Sequence, residues 1–182
     1  LYNGWRQLYF IYPALIFLVV RGVVGVWELG KGRTLPRVLI GTLLTGTLLS
    51  VGHWMWKAHP YQNVYFNVFA GLDVRYRFEL DYWGLSNREA LEHILAREQE
   101  GVVEIRARSF TPLHYSVMML RPEERARVNL IRESTGPHYL VNNYFGWKRH
   151  GDLSRVDERY VLVHRITVNG EIILSIYYTE GG

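Results

Sequence analysis

A hairpin of two transmembrane helices followed by a small α/β domain with a mixed sheet and a C-terminal β-hairpin is the fold class that this sequence predicts. Three observations predict it. Two apolar stretches of helical length lie close together near the start, a capping-box pattern opens an amphipathic run in the middle, and an Asn-Gly pair separates two alternating runs near the end.

Charge is divided unevenly along the 182 residues. Residues 1 to 72 hold one acid, Glu28, against six bases, whereas residues 73 to 182 hold 16 acids against 15 bases. The excess positive charge therefore sits between apolar runs and not on a polar surface, which argues against a basic nucleic-acid-binding domain and toward a membrane. The chain has no cysteine, so it has neither a disulfide framework nor a thiolate metal site. It begins with Leu1, and no charged segment, short apolar core and small-residue cleavage site follow in signal-peptide order, so it is expected to be a piece of a longer polypeptide.

The first span is expected over residues 8 to 29, LYFIYPALIFLVVRGVVGVWEL, whose only charges are Arg21 and Glu28. The second is expected over residues 38 to 56, VLIGTLLTGTLLSVGHWMW, where His53 is the only ionisable group. A helix rises about 1.5 Å per residue, and roughly 20 apolar residues cross about 30 Å of hydrocarbon. The competing reading, a buried hairpin of a soluble domain, usually leaves a polar stripe; the second run offers only Thr, Ser and Gly. Gly41, Thr42, Thr45, Gly46, Thr47, Ser50 and Gly52 would admit close approach by further helices, which implies neighbouring spans. Tyr9, Tyr12, Trp27, Trp54 and Trp56 lie toward the segment ends, where amphipathic rings favour the headgroup zone. Lys31, Arg33 and Arg37 in the connector GKGRTLPR place that connector in the cytoplasm and everything after Lys57 outside. Arg21, deep in a span, requires a partner, water or a polar cavity.

Residues 58 to 85 read as an interfacial linker, with the aromatic and amide-rich KAHPYQNVYFNVFAG running over the membrane domain. An extracytoplasmic α/β domain is expected over residues 86 to 182. Ser86-Asn87-Arg88-Glu89 is a capping-box pattern, and Leu91, Ile94 and Leu95 give an apolar face, so a helix is expected over 87 to 99 before Gly101. Val102 to Arg106 alternates like a strand, and Pro112 to Leu120 reads as a short helix or turn. Val128 to Ile131 and His138 to Tyr144 are β-prone runs split by Gly136-Pro137. Tyr160 to Val168 and Glu171 to Tyr178 flank Asn169-Gly170, the signature of a type I′ hairpin turn in which both central residues take positive φ.

Chemistry-bearing residues are few. Tyr2, Trp5 and Arg6 stand at the outer mouth of the first span, where a guanidinium could grip a phosphate with two parallel hydrogen bonds. The same residues equally describe an aromatic belt with an interfacial anchor. His53 and His59 are six apart and straddle a helix end before Pro60, a poor geometry for a shared metal. Glu79 and Asp81 could suggest an acid/base pair, but in an extended segment they read as solvated charges on one face. There is no Gly-rich phosphate loop, GxSxG elbow or HExxH motif. The residues alone identify no complete catalytic site and no cofactor.

YNGWRQLYFIYPAL, HPYQNVYFN and FELDYWGLSNREALEHIL, in that order and spacing, resemble the C-terminal region of bacterial polytopic glycosyltransferases of family 39 and the lipid A aminoarabinose transferase type. The resemblance covers most of residues 1 to 100 and more loosely the terminal strands. It departs at Asn3 and Gln7, where the family pattern carries Asp and His, so no role for an acid or imidazole carries over there. The resemblance implies an inverting, multi-pass enzyme of the inner membrane that uses a polyprenyl-phosphate sugar, with its catalytic carboxylate in an outer loop upstream of this chain. It implies a donor-phosphate contact at Arg6, flanked by Tyr2 and Trp5, and leaves open whether a divalent metal belongs to the upstream portion. His59, Tyr61, Asn63, Asn67, Asp81 and Trp83 fall in the matching stretches as acceptor or interdomain contacts. The competing expectation is a membrane-anchored extracytoplasmic module that binds a partner or glycan through Tyr82 and Trp83 without catalysis.

Overall fold

The computed structural model describes residues 10–66, 70, 74–144 and 156–181. The chain divides into two compact units, residues 1–57 and 58–182.

In the first unit, α1 (Tyr12–Leu29) and α2 (Thr34–Lys57) are joined by a tight turn. Pro13 is tolerated in α1 because the first turn of a helix needs no amide donor there. The α1 helix ends at Gly30, whose N–H returns to Val26 O at 3.1 Å. Pro36 likewise falls in the first turn of α2, so this helix starts four residues before the expected Val38. Neither helix contains a buried residue, and both are long and apolar enough to cross a membrane. Phe17, Leu18 and Val19 of α1 and Leu43, Leu48 and Leu49 of α2 are all exposed. Arg37 lies over the Trp27 ring, with 5.4 Å from its guanidinium carbon to the ring centre. No Cβ added at Gly41, Gly46 or Gly52 would meet another described atom, so these small residues leave the helix surface open.

The second unit is a five-stranded mixed sheet with helices of modest length, the first of them the single turn α3 (Val74–Arg77). Its strands are β1 (Val103–Arg108), β2 (Val128–Ile131), β3 (His138–Asn142), β4 (Val161–Val168) and β5 (Glu171–Thr179). Their spatial order is β2-β1-β3-β5-β4. β1 runs parallel to both β2 and β3, while β5 is antiparallel to both β3 and β4. Between β1 and β2 the chain crosses over through α5 (His114–Met118) and α6 (Pro122–Arg125), as a parallel pair requires. Asn169 and Gly170, at φ 52° and 84°, form the predicted reversal between β4 and β5. The strand at His138 stops at Asn142, two residues early, because Tyr144 takes φ 60° and its N–H turns back to Asn142 Oδ1 at 3.0 Å.

The sheet's amphipathicity follows its register. Ile105, Tyr139 and Tyr178 share one row, and Ala107, Val141, Ile176 and His164 the next, on the same face. Against this face packs α4 (Asn87–Arg97), which buries Ala90, Leu91, Ile94 and Leu95 and leaves Arg88 and Glu92 paired at 2.8 Å on its outer side. Full burial of Leu91 and Ile94 contributes about 1.5–3 kcal/mol each. His93 of α4 stacks on His164 of β4 with ring centres 4.0 Å apart, and Tyr139 Oη donates to Glu98 just beyond α4 at 2.5 Å. On the opposite face, Tyr144 reaches over the sheet to bond Ser175 and, at 3.1 Å, the Tyr177 hydroxyl.

The expected capping box at the start of α4 does not form. Ser86 adopts a helical backbone conformation and makes no side-chain cap; its hydroxyl instead donates to Asp81, and Glu89 accepts from Tyr61. Both residues are recruited by partners outside the helix, so the local pattern is outcompeted by tertiary bonds. The helix closes at Arg97, with Glu98 already extended, two residues short of the expected end.

Candidate functional site

The most structured polar cluster lies where the chain enters the second unit. Ala58, Tyr61 and Val64 are buried, with the last two flanking and closing a 3-10 turn over Gln62–Val64. Two bonds fasten this segment to the stretch that follows it in space. Tyr61 donates to the Glu89 carboxylate, and Asn63 Nδ2 donates to Leu80 O at 3.0 Å. Burial, reinforced by the bond to Glu89, pushes the Tyr61 hydroxyl well above its ordinary pKa, so it remains a donor.

Asp81 is 3% exposed, which corrects the expectation that it is a solvated charge. Its carboxylate accepts from the Leu85 N–H at 2.8 Å, from the Ser86 N–H at 3.4 Å and from the Ser86 hydroxyl. Asn143, 62 positions away, donates from Nδ2 to the Asp81 carbonyl at 3.0 Å. Burial raises the Asp81 pKa and outweighs the opposite pull of the bonds from Ser86 and Leu85. With its oxygens turned inward, this carboxylate braces a turn.

The braced turn, residues 81 to 87, carries an aromatic cluster on its outside. Tyr82 makes an edge contact with Trp83, ring centres 5.0 Å apart, and packs on Phe110 at 4.7 Å. Trp83 is 56% and Phe110 48% exposed. Thr111 Oγ1 donates to Tyr82 O at 3.0 Å and so ties the two stretches together. Gly84 is required between them. It takes φ 64°, and a Cβ there would lie 2.5 Å from Asn87 Nδ2 and 3.1 Å from Thr111 Cβ. Asn87 is fully buried and its Oδ1 has no hydrogen-bond partner among the described residues.

Of the residues singled out from sequence, Tyr61, Asn63 and Asp81 thus join one framework, and Trp83 stands on its surface. His59 is exposed and its Nδ1 accepts from Gln62 Nε2 at 2.8 Å. Tyr2, Trp5, Arg6 and Asn67 lie outside the described residues. Among the described residues no group of three or more His, Cys, Asp or Glu side chains is gathered to hold a metal ion. Sequence reasoning placed Ser86 and Asn87 only in a helix cap and missed Phe110, Thr111 and Asn143. Only the spacing Asp81…Ser86, an acid shortly before a hydroxyl in a Gly-containing turn, carried any local signal for them.

Compared with protein-family models, curated proteins and solved structures, the chain matches none.

Proposed function

We propose that this chain is the C-terminal part of an integral membrane glycosyltransferase that moves a sugar from a polyprenyl-phosphate donor to an extracytoplasmic acceptor. In this reading α1 and α2 cross the bacterial inner membrane beside further spans of the same protein, and the sheet domain lies outside. The observation that carries the membrane assignment is a pair of uncovered apolar helices joined by a turn bearing Lys31 and Arg33. In water, two such surfaces without a buried residue would be an unsolvated patch far larger than soluble proteins expose. The enzyme assignment is supported by the three ordered motifs, YNGWRQLYFIYPAL, HPYQNVYFN and FELDYWGLSNREALEHIL.

Arg6, with Tyr2 and Trp5 beside it, then holds the donor phosphate as negative charge develops on the departing group, while the catalytic carboxylate belongs to an upstream loop. In the intact enzyme, Arg6→Ala is expected to lower sugar transfer from a polyprenyl-phosphate donor by on the order of 100-fold. Unchanged turnover removes the phosphate role.

The cluster of half-buried Tyr82 with exposed Trp83 and Phe110 favours a second reading, a membrane-anchored binding module without catalysis. The upstream coding sequence separates the two: many further spans and an acid in the first outer loop support the enzyme, and an immediate start codon supports the module.

A further inference from the structure

We infer that the Tyr82–Trp83–Phe110 cluster is a membrane-contacting face of the sheet domain, seated in the lipid headgroup layer; this rests on the reading that α2 spans the bilayer. Three observations converge on lipid as the occupant. The first is chemical. Tyr and Trp rings combine a broad apolar body with a polar edge, the combination that favours headgroup depth, and here they are held in mutual contact while Trp83 remains more than half exposed.

The second is electrostatic. Residues 73 to 182 carry 31 acids and bases, yet Tyr82 to Asn87 contains none and Ser109 to Leu120 contains no acid, Lys or Arg, only His114 as a residue that can carry charge near neutral pH. These are the two stretches that Thr111 and Tyr82 tie together. The second of them also exposes Tyr115, Met118 and Met119. Two tied stretches without acid, Lys or Arg, on an otherwise densely charged domain, fit a layer in which charges are costly and rings are favoured.

The third is the tether. Lys57 ends α2, and only six residues later Asn63 is bonded to Leu80 O, with Tyr61 on Glu89. Six extended residues span at most about 21 Å, so the chain passes from α2 to the residues that fasten the braced turn without a long linker. A face that works at the surface from which its own helix emerges needs only a short connection of this kind.

Because the chain lacks cysteine, single nitroxide labels can be placed without background. The full 182-residue chain is reconstituted in vesicles of phosphatidylcholine and phosphatidylglycerol, with labels at Trp83→Cys, Phe110→Cys, Leu48→Cys or Glu123→Cys. Collision with oxygen is compared with collision with a water-soluble nickel chelate. Leu48, within α2, reports whether that helix is in hydrocarbon, and Glu123, on α6, serves as the aqueous reference. The expected result is an oxygen-to-nickel ratio severalfold higher at Trp83 and Phe110 than at Glu123, and highest at Leu48. A ratio at either aromatic position no higher than at Glu123, with Leu48 in hydrocarbon, overturns the inference alone and leaves the cluster to a soluble partner or glycan. Leu48 in water overturns the membrane reading itself, and the inference with it.

Discussion

Asp81 shows how a single carboxylate organises a turn and what that costs. Its oxygens satisfy Leu85 N–H, Ser86 N–H and the Ser86 hydroxyl, yet burial still holds its pKa above the ordinary value. A group whose pKa is higher in the fold binds more protons in the folded state than in the unfolded one, so stability falls as pH rises through that window. The window opens at the ordinary carboxylate value, about 4, and closes at the raised value. We expect Asp81→Asn to abolish that decline, measured as the pH dependence of the urea midpoint for loss of the sheet domain. A mutant retaining the full slope would assign it to another group. The sequence pointed to Asp81 but misread it, because its hydrogen-bonding partners lie in the turn that follows and its carbonyl is held by Asn143. An acid two positions from Glu79 looks solvated until those partners are known.

At the level of elements, the most local signals were the most legible. Asn169-Gly170 marked its turn because positive φ at two successive positions admits few residue types, and β4 and β5 follow from it within one residue at each predicted end. Gly170→Ala, which places a Cβ at φ 84°, is expected to cost about 1 kcal/mol, read as a lower urea midpoint with unchanged slope. The start of α4 was also read correctly, though for the wrong reason, since Ser86 and Glu89 serve Asp81 and Tyr61 instead of the helix end. The α2 helix begins before its apolar run does, because hydropathy marks what lipid would cover and not where backbone hydrogen bonding starts.

For the whole molecule, two apolar helices and a mixed sheet could be anticipated, but the strand order β2-β1-β3-β5-β4 could not. Alternation tells which face of a strand is buried and says nothing about which neighbour supplies its ladder. The aromatic cluster was half visible for the same reason: Tyr82 and Trp83 are adjacent in sequence, while Phe110 joins them only through the fold. The uncovered surfaces of α1 and α2 lead to an expectation for the chain in cells. It should sediment with membranes, resist an alkaline carbonate wash and enter solution only with detergent; release by carbonate alone would contradict spanning.

β5 follows β4 in the chain yet lies between β3 and β4 in space. During synthesis, β3 therefore has no partner on that flank until residues 171 to 179 have emerged, and the strand that joins the parallel half to the hairpin is the latest of the five to be made. Nascent chains stalled before Glu171 would hold Leu140 and Val141 without their cross-strand neighbours Tyr177 and Ile176, an intermediate with an unpaired strand edge that is prone to aggregate.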